Sequence, residues 1–177
     1  MSQKKETSAA THPPKKDRSP ILVPTDFSDQ SVEALAYAHE LALLMDRPLT
    51  VLHIVHDPAS APGYYRRDTK NDNRTMDAIA ADMMADFLDR TQKKVPSLDI
   101  ETLDTQLLEG IPAARIVEYA NLIDAAMIVM GSHGHRGMKA LVIASKAKKV
   151  VKAAPMPVTI VKAKEVQESL KKQAPDS

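Results

Sequence analysis

Two short segments of the chain carry residue types that could do chemistry, and the first contains a single carboxylate. It reads Pro24-Thr25-Asp26-Phe27-Ser28. The carboxylate of Asp26 could accept hydrogen bonds from the ribose or the base of a ligand, because a charged acceptor makes the stronger kind of hydrogen bond. Asp26 could equally end a strand and help to cap the helix that follows, which is a structural function. These residues alone leave both alternatives open.

The second segment is rich in glycine and reads Gly131-Ser132-His133-Gly134-His135-Arg136-Gly137. Its glycines allow the backbone to approach a ligand closely and to turn N–H groups toward it, and Ser145 and the N–H groups of the next helix could bind an anion. This pattern favours phosphate binding, although the glycines could also serve only a tight connection between a strand and a helix. The spacing is neither that of a P-loop nor that of a dinucleotide-binding motif.

The helix after the glycine-rich segment begins with a cation. Lys146 lies in its first turn, where the helix dipole favours acids, and residues 131–161 contain no Asp or Glu. A bound anion would relieve this electrostatic conflict. The alternative is a solvated cationic face formed by Lys146, Lys148, Lys149 and Lys152. The sequence does not decide between the two.

Metal binding and catalysis have weaker signals. Two histidines fall at the end of the second predicted strand and two after the fourth, namely His53, His56, His133 and His135. They could form a metal site, but no carboxylate stands at a diagnostic ligand spacing. No serine follows the G-x-S-x-G pattern, and no paired acid and base is visible. The sequence therefore identifies no catalytic residue and no metal ligand.

The composition bounds the class of protein. There are 24 Lys+Arg and 23 Asp+Glu, which give a net charge of +1 and argue against nucleic acid as a partner. Because Cys is absent, disulfides, thiol catalysis and cysteine-ligated metals are excluded. No apolar run reaches the roughly 18 residues that cross a bilayer, and the polar N-terminus does not resemble a signal peptide. We therefore expect a cytoplasmic protein without membrane insertion.

The length of 177 residues suits one domain with a well-filled core. Residues 1–18 are basic and polar, and we expect a disordered arm there. Residues 163–177 turn polar again and predict a flexible tail. The folded domain is therefore expected over residues 19–162.

Strand and helix signals alternate along this domain. Apolar runs predict strands at residues 21–23, where Pro24 closes the run, and at 49–55, 99–108, 125–130 and 158–161. Helices are predicted to begin at Ser28-Asp29, Thr75, Pro112 and Ser145, and the last is expected to end at residue 154. The inward face of the first helix is expected to carry Val32, Leu35, Ala36 and Leu43.

Five strands that alternate with four helices predict an α/β fold. We expect an open, doubly wound parallel sheet with helices on both faces. In such sheets a ligand binds beyond the carboxyl ends of the strands, where the strand order reverses. The Asp26 segment and the glycine-rich segment would meet there.

Four motifs, in this order, resemble those of the universal stress protein family. They are Ile-Leu-Val-Pro-Thr-Asp-Phe-Ser at 21–28, Leu-His-Ile-Val at 52–55, Met-Ile-Val-Met-Gly-Ser-His-Gly at 127–134 and Ala-Pro-Met-Pro-Val-Thr-Ile-Val at 154–161. The resemblance covers residues 21–161 and implies a Rossmann-like fold of the adenine nucleotide alpha hydrolase type, with the strand order 3-2-1-4-5. It also implies a homodimer that pairs through the last strand, Val158–Val161. The family contains members that bind ATP and members that do not.

The nucleotide-binding members share the pattern Gly-x2-Gly-x9-Gly-Ser/Thr, from which this chain departs once. Gly131, Gly134 and Ser145 match the pattern, whereas Ala144 stands where the third glycine belongs. By position, the resemblance assigns the following residues to the site: Pro24, Thr25, Asp26 and Ile54 to adenine and ribose, and Met130, Gly131, Gly134, Ala144, Ser145 and Lys146 to ribose and phosphates.

A glycine at position 144 could act in two ways, either through a positive φ or by admitting phosphate oxygens close to the backbone. Both functions would be impaired by a methyl group. Ala144 therefore predicts weakened rather than abolished nucleotide binding.

The leading hypothesis is a homodimeric universal stress protein that binds ATP, with AMP or ADP as alternatives and Mg²⁺ as an accompanying ion. It would act as a regulator or sensor in the stress response, with at most slow ATP hydrolysis or autophosphorylation. A second hypothesis is a dimeric stress protein with an empty pocket that acts through an unidentified protein partner. An ATP-consuming transferase or hydrolase is the least favoured, because no catalytic pair is visible.

Overall fold

The computed structural model describes residues 18–56, 64–65, 74–132 and 143–162. Five parallel strands form one sheet, namely β1 Ile21–Thr25, β2 Leu49–Val55, β3 Asp104–Glu109, β4 Met127–Gly131 and β5 Val158–Val161. The helices are α1 Asp29–Met45, α2 Met76–Lys94, α3 Pro112–Leu122 and α4 Ser145–Ala153, and a short 3-10 helix, Ile100–Thr102, precedes β3. The strand order is β3-β2-β1-β4-β5, so the expected fold is confirmed.

The helices begin at the residues that the sequence indicates. Ser28 and Thr75 are the N-caps of α1 and α2, and each side-chain oxygen accepts a hydrogen bond from a backbone N–H three residues later. Pro112 opens α3, where its missing N–H costs no hydrogen bond. Helix α4 ends at Ala153, one residue earlier than predicted.

The predictions for Asp99 and Leu43 were wrong. The edge strand begins at Asp104 and not at Asp99, because the side chain of Asp99 accepts a hydrogen bond from the Glu101 N–H and starts the 3-10 helix. Leu43 is 58% exposed rather than inward. The buried face of α1 continues from Leu35 through Ala38 to Ala42, and Leu43 lies about 100° further around the helix.

Two apolar cores lie on opposite faces of the sheet. Helices α1 and α2 cover one face, which we call the α1/α2 face, and Val23 and Val51 point into it. Helices α3 and α4 cover the other, the α3/α4 face, where Leu22 and Leu52 are buried. Successive residues of a strand point to opposite faces, so this assignment fixes the side on which each site residue lies.

Strands β1 and β4 separate before they end. Their pairing stops at Leu22 and Ile128, whereas β1 stays paired with β2 as far as Thr25. A crevice therefore opens between β1 and β4 at the carboxyl edge of the sheet, where the strand order reverses. Pro24 extends β1 instead of closing it, because one side of the strand has no partner at that residue.

Arg18 lies at the boundary that we predicted between the N-terminal arm and the domain. Arg18, which we assigned to the N-terminal arm, donates a hydrogen bond of 2.6 Å to the backbone oxygen of Asp46 and also pairs with its carboxylate. The rest of the predicted arm and tail lies outside the described residues. Within the described parts of the chain, no helix is long and apolar enough to cross a membrane.

Candidate functional site

The predicted binding residues gather at the carboxyl edge of the sheet, around the crevice. Pro24 and Thr25 end β1 and Asp26 follows it, Ile54 lies near the end of β2, and Met130 and Gly131 end β4. The start of α4 is joined to this edge, because the Ala144 N–H donates a hydrogen bond of 2.8 Å to the Ser132 oxygen. The start of α4, with Ala144, Ser145 and Lys146, therefore lies next to the end of β4 in space. Gly134 lies outside the described residues.

The apolar members of this set share one face of the sheet. Ile54 and Met130 belong to the apolar cluster on the α3/α4 face, and both are buried. Pro24 pairs in register with Leu52 of that cluster, which places its ring on the same face. Together they form a wall on which an apolar, planar group could pack.

The start of α4 has the features of an anion site. Among the described residues, no side chain caps it, and its first turn contains no acid. Ser145 and Lys146 are exposed, while Ala147 and Val150 anchor the helix in the core. Backbone N–H groups at a helix start carry partial positive charge, and a nearby lysine adds to it. Of the two explanations for position 144, the positive φ is wrong, because φ of Ala144 is −57°.

Asp26 has the structural function that the sequence left open. Its Oδ1 atom accepts hydrogen bonds from the Ser28 N–H at 3.2 Å, from the Ser28 hydroxyl at 2.6 Å and from the Ser31 hydroxyl at 2.9 Å. One carboxylate oxygen therefore organises the first turn of α1. Any ligand contact of Asp26 has to be made in addition to these three hydrogen bonds.

Gly131 is explained by the packing of β4 against α1. A Cβ atom at this position would lie 3.2 Å from the Cβ and the backbone oxygen of Gln30. The glycine therefore allows the start of α1 to approach the end of β4 closely. Beside it, the Oε1 atom of Gln30 is buried and has no hydrogen-bond partner among the described residues. Neither feature of Gln30 was visible in the sequence.

A group of aromatic residues behind Asp26, on the α1/α2 face, was not predicted from the sequence. The ring of His53 stacks on Phe27 with ring centroids 4.1 Å apart, and it lies parallel to Tyr64 at 6.0 Å. Tyr64 and Tyr65 come from the connection between β2 and α2. The available signal was the pair Tyr64-Tyr65 itself, since the whole chain has only four Tyr, two Phe and no Trp.

His53 is neutral at physiological pH. Burial lowers its pKa from 6.5 to about 4, against the raising effect of a hydrogen bond to the Thr25 backbone. Its Nδ1 atom lies 2.8 Å from the Thr25 oxygen and must carry the proton, because a carbonyl can only accept. Its Nε2 atom therefore accepts from the Tyr65 hydroxyl at 3.0 Å. Both ring nitrogens are thus used within the protein.

His56 does not join His53 in a metal site in the described structure. Its Nδ1 atom lies 3.2 Å from the Ile54 oxygen, and its backbone N–H donates to the Tyr65 hydroxyl. Among the described residues, no group of three or more His, Asp or Glu side chains is placed to hold a metal ion. His133 and His135 lie outside those residues.

Comparisons with known proteins agree with the motifs. Residues 18–162 match the model of the universal stress protein family. The universal stress protein MJ0531 of Methanocaldococcus jannaschii is 31% identical over 145 residues, which cover 80% of this chain and 81% of that protein. The solved structure of universal stress protein UspA from Lactobacillus plantarum is 28% identical and superposes with a TM-score of 0.62, covering 81% of this chain and 97% of that one.

A further relative was solved with a bound nucleotide. The universal stress protein of Archaeoglobus fulgidus in complex with dAMP is 24% identical, covers 81% of this chain and 97% of that one, and has a TM-score of 0.56. At this level of identity the likeness concerns the fold. The family model matches residues 18–162, and one relative is 31% identical over most of both chains. This chain therefore belongs to the universal stress protein family.

Proposed function

We propose that this universal stress protein binds an adenine nucleotide, with ATP as the first candidate, in the crevice between β1 and β4. The observation that carries the proposal is the early end of the β1–β4 pairing, next to a helix start without a side-chain cap among the described residues. The dAMP complex of the Archaeoglobus fulgidus relative supports this ligand class. The protein would then act as a regulator that responds to nucleotide, and not as a rapid enzyme.

The residues around the crevice fit the two halves of such a ligand. Pro24, Ile54 and Met130 supply an apolar wall for the base, and Asp26 supplies a charged acceptor for hydroxyl or amino groups. The backbone at the start of α4 and the side chain of Lys146 supply positive charge for the phosphates. Mg²⁺ would arrive bound to the triphosphate, as is usual for this ion.

The first experiment tests the nucleoside half by calorimetry with ATP, AMP and adenosine. Asp26→Asn is the suitable variant, because an amide oxygen can still accept from Ser28 and Ser31 while the negative charge is lost. We expect all three affinities to fall about tenfold or more, the effect of losing one charge-assisted hydrogen bond. Equal affinities for parent and variant would remove Asp26 from the site, and no binding by the parent would end the proposal.

A second pair of variants tests the phosphate half and the alternative of a solvated lysine face. Lys146→Gln should weaken ATP about threefold to tenfold and leave adenosine unchanged, since only the phosphates face the helix start. Lys148→Gln removes an equally exposed charge one half-turn further along α4 and serves as the control. Equal losses of ATP affinity in the two variants would favour a general cationic surface over a specific contact.

We also propose that two copies of the chain pair through β5. In the sheet of the described residues, β5 has a neighbour on one side only, which is β4. An open strand edge invites pairing with another strand, and a twofold dimer closes it for both copies. The same dimer is compatible with the second hypothesis, in which the protein acts through a protein partner and binds no nucleotide.

A further inference from the structure

We propose that His53, Tyr64 and Arg90 are positioning residues that hold the Asp26 turn, residues 25–28, in a conformation that the chain does not favour by itself. The turn would thereby be set in advance for the nucleoside half of the ligand. The part of this inference that concerns the ligand rests on the proposed function. The part that concerns the turn stands on the hydrogen bonds of the protein alone.

Three successive backbone oxygens of the turn each accept a hydrogen bond from a side chain. Thr25 accepts from His53 Nδ1 at 2.8 Å, and Asp26 accepts from the Tyr64 hydroxyl at 2.7 Å. Phe27 accepts from Arg90 Nη2 at 2.6 Å. The three donors come from β2, from the connection between β2 and α2, and from α2. A turn that only linked β1 to α1 would not need donors from three other parts of the chain.

The backbone of the turn is strained at Phe27. Its φ is +63°, a left-handed conformation that bulky residues rarely adopt. Such a conformation persists only where its surroundings determine it, and it occurs most often at functional sites. Here the ring of Phe27 contacts the rings of His53 and Phe87, and the Arg90 side chain donates a hydrogen bond to the Phe27 backbone oxygen.

The backbone of the turn determines the orientation of the Asp26 carboxylate, the group proposed to contact the ligand. The Phe27 N–H donates to Thr25 Oγ1 at 2.9 Å, and the Ser28 N–H donates to Asp26 Oδ1. The orientation of the Asp26 carboxylate therefore depends on the backbone of residues 25–28. Because the three donors approach from the α1/α2 face, they lie on the opposite side of the sheet from Ile54 and Met130, the wall proposed for the base. Their effect on binding is thus indirect, through the turn.

Two variants remove one donor each and keep most of the packing. Tyr64→Phe removes the hydroxyl that holds the Asp26 oxygen, and Arg90→Gln removes the guanidinium that holds the Phe27 oxygen. Without ligand, the amides of Phe27 and Ser28 should exchange with solvent about tenfold faster in both variants, while the Ile128 amide in β4 is unchanged. Adenosine and ATP should both lose affinity, by the same factor of about three to ten.

Each variant has a matched control. Tyr119→Phe makes the same chemical change in α3, on the opposite face of the sheet, and contacts neither the turn nor His53 in the described structure. Arg115→Gln removes another arginine that donates to a backbone oxygen at a strand end, that of Glu109, and that pairs with a carboxylate. Both controls should keep the parental affinities and the parental exchange of Phe27 and Ser28.

The results separate the two proposals. Unchanged amide exchange in Tyr64→Phe and Arg90→Gln overturns the positioning inference, whatever the ligand. Equal losses of adenosine affinity in Tyr64→Phe and Tyr119→Phe overturn it as well, because the loss would then not depend on the hydrogen bond to the Asp26 oxygen. If the parent binds neither adenosine nor ATP, the proposed function fails, and faster exchange in the two variants would still support a held turn.

Discussion

The backbone conformation at position 144 explains why alanine can stand in place of the third motif glycine. With φ of −57° and ψ of 151°, Ala144 lies in a region that every L residue adopts without strain. A glycine is therefore not needed there for its conformational freedom. The remaining reason for glycine is the space that its missing Cβ leaves for a phosphate oxygen next to the start of α4.

This steric explanation predicts opposite effects of two small substitutions. Ala144→Gly should tighten ATP roughly fivefold to tenfold, about 1 to 1.4 kcal/mol, and leave adenosine unchanged. Ala144→Ser should stabilise the protein by about 1 kcal/mol, because its hydroxyl caps α4, and should weaken ATP because it occupies the same N–H groups. Calorimetry and urea unfolding measure both quantities. If adenosine gains as much as ATP from Ala144→Gly, residue 144 does not border the phosphates.

His53 makes the stability of the fold depend on pH. Its pKa is about 4 in the folded protein, lowered mainly by burial and further by the charges of His56 and Lys146, with Thr25 and Asp26 acting in the opposite direction. In the unfolded chain the same side chain titrates near 6.5. Between these two values the unfolded state binds more protons, so the contribution of His53 to stability is present above pH 6.5 and is lost as the pH falls toward 4.

His53→Gln should remove this share of the pH dependence. Near pH 4.5 the loss in the parent amounts to about 2–3 kcal/mol, at 1.36 kcal/mol for each unit between the two pKa values. Urea unfolding at pH 7.5 and at pH 4.5 should therefore show a smaller decrease for the variant than for the parent. Parallel decreases would mean that His53 is already protonated in the folded protein at pH 4.5.

At the scale of the elements, local chemistry predicted most of the fold. Caps at Ser28 and Thr75 and the proline at 112 act within one helical turn, so the sequence alone locates those helix starts. The apolar run of β4 also indicates a central parallel strand, because both faces of such a strand are covered and its residues are apolar on both sides. Leu43 was misassigned because it lies one residue past the buried face of α1, and Asp99 because its side chain starts a 3-10 helix that the apolar pattern does not reveal.

The candidate site was predictable only in part. The sequence located the segments around Asp26 and Ala144, because glycine, serine and a lone carboxylate stand out at strand ends. It could not show that the β1–β4 pairing stops at Leu22, or that Tyr64 and Arg90 reach the Asp26 turn. These features join residues far apart in the chain, and no local pattern encodes them. Whether the predicted residues bind nucleotide stays a prediction.

For the whole molecule, the hydrogen bonds of β5 determine which backbone groups could pair with a second copy. The Ile128 N–H donates to the Pro157 oxygen, and the Ser132 N–H donates to the Val161 oxygen. Residues 157, 159 and 161 therefore direct their backbone groups toward β4, since the direction alternates along a strand. Val158 and Ile160 direct theirs to the open edge. A proline at residue 159 would disturb the sheet of its own subunit and would not test the dimer.

Ile160→Pro is the variant that tests pairing through β5. It removes an N–H that points to the open edge, so we expect monomers at micromolar concentration where the parent is a dimer by light scattering. Ile160→Ala is the control, because it also loses the side chain, which packs on the α3/α4 face, but keeps the N–H. It should remain a dimer. A parent that is monomeric, or an Ile160→Pro variant that folds and stays dimeric, would show that the copies do not pair through this strand.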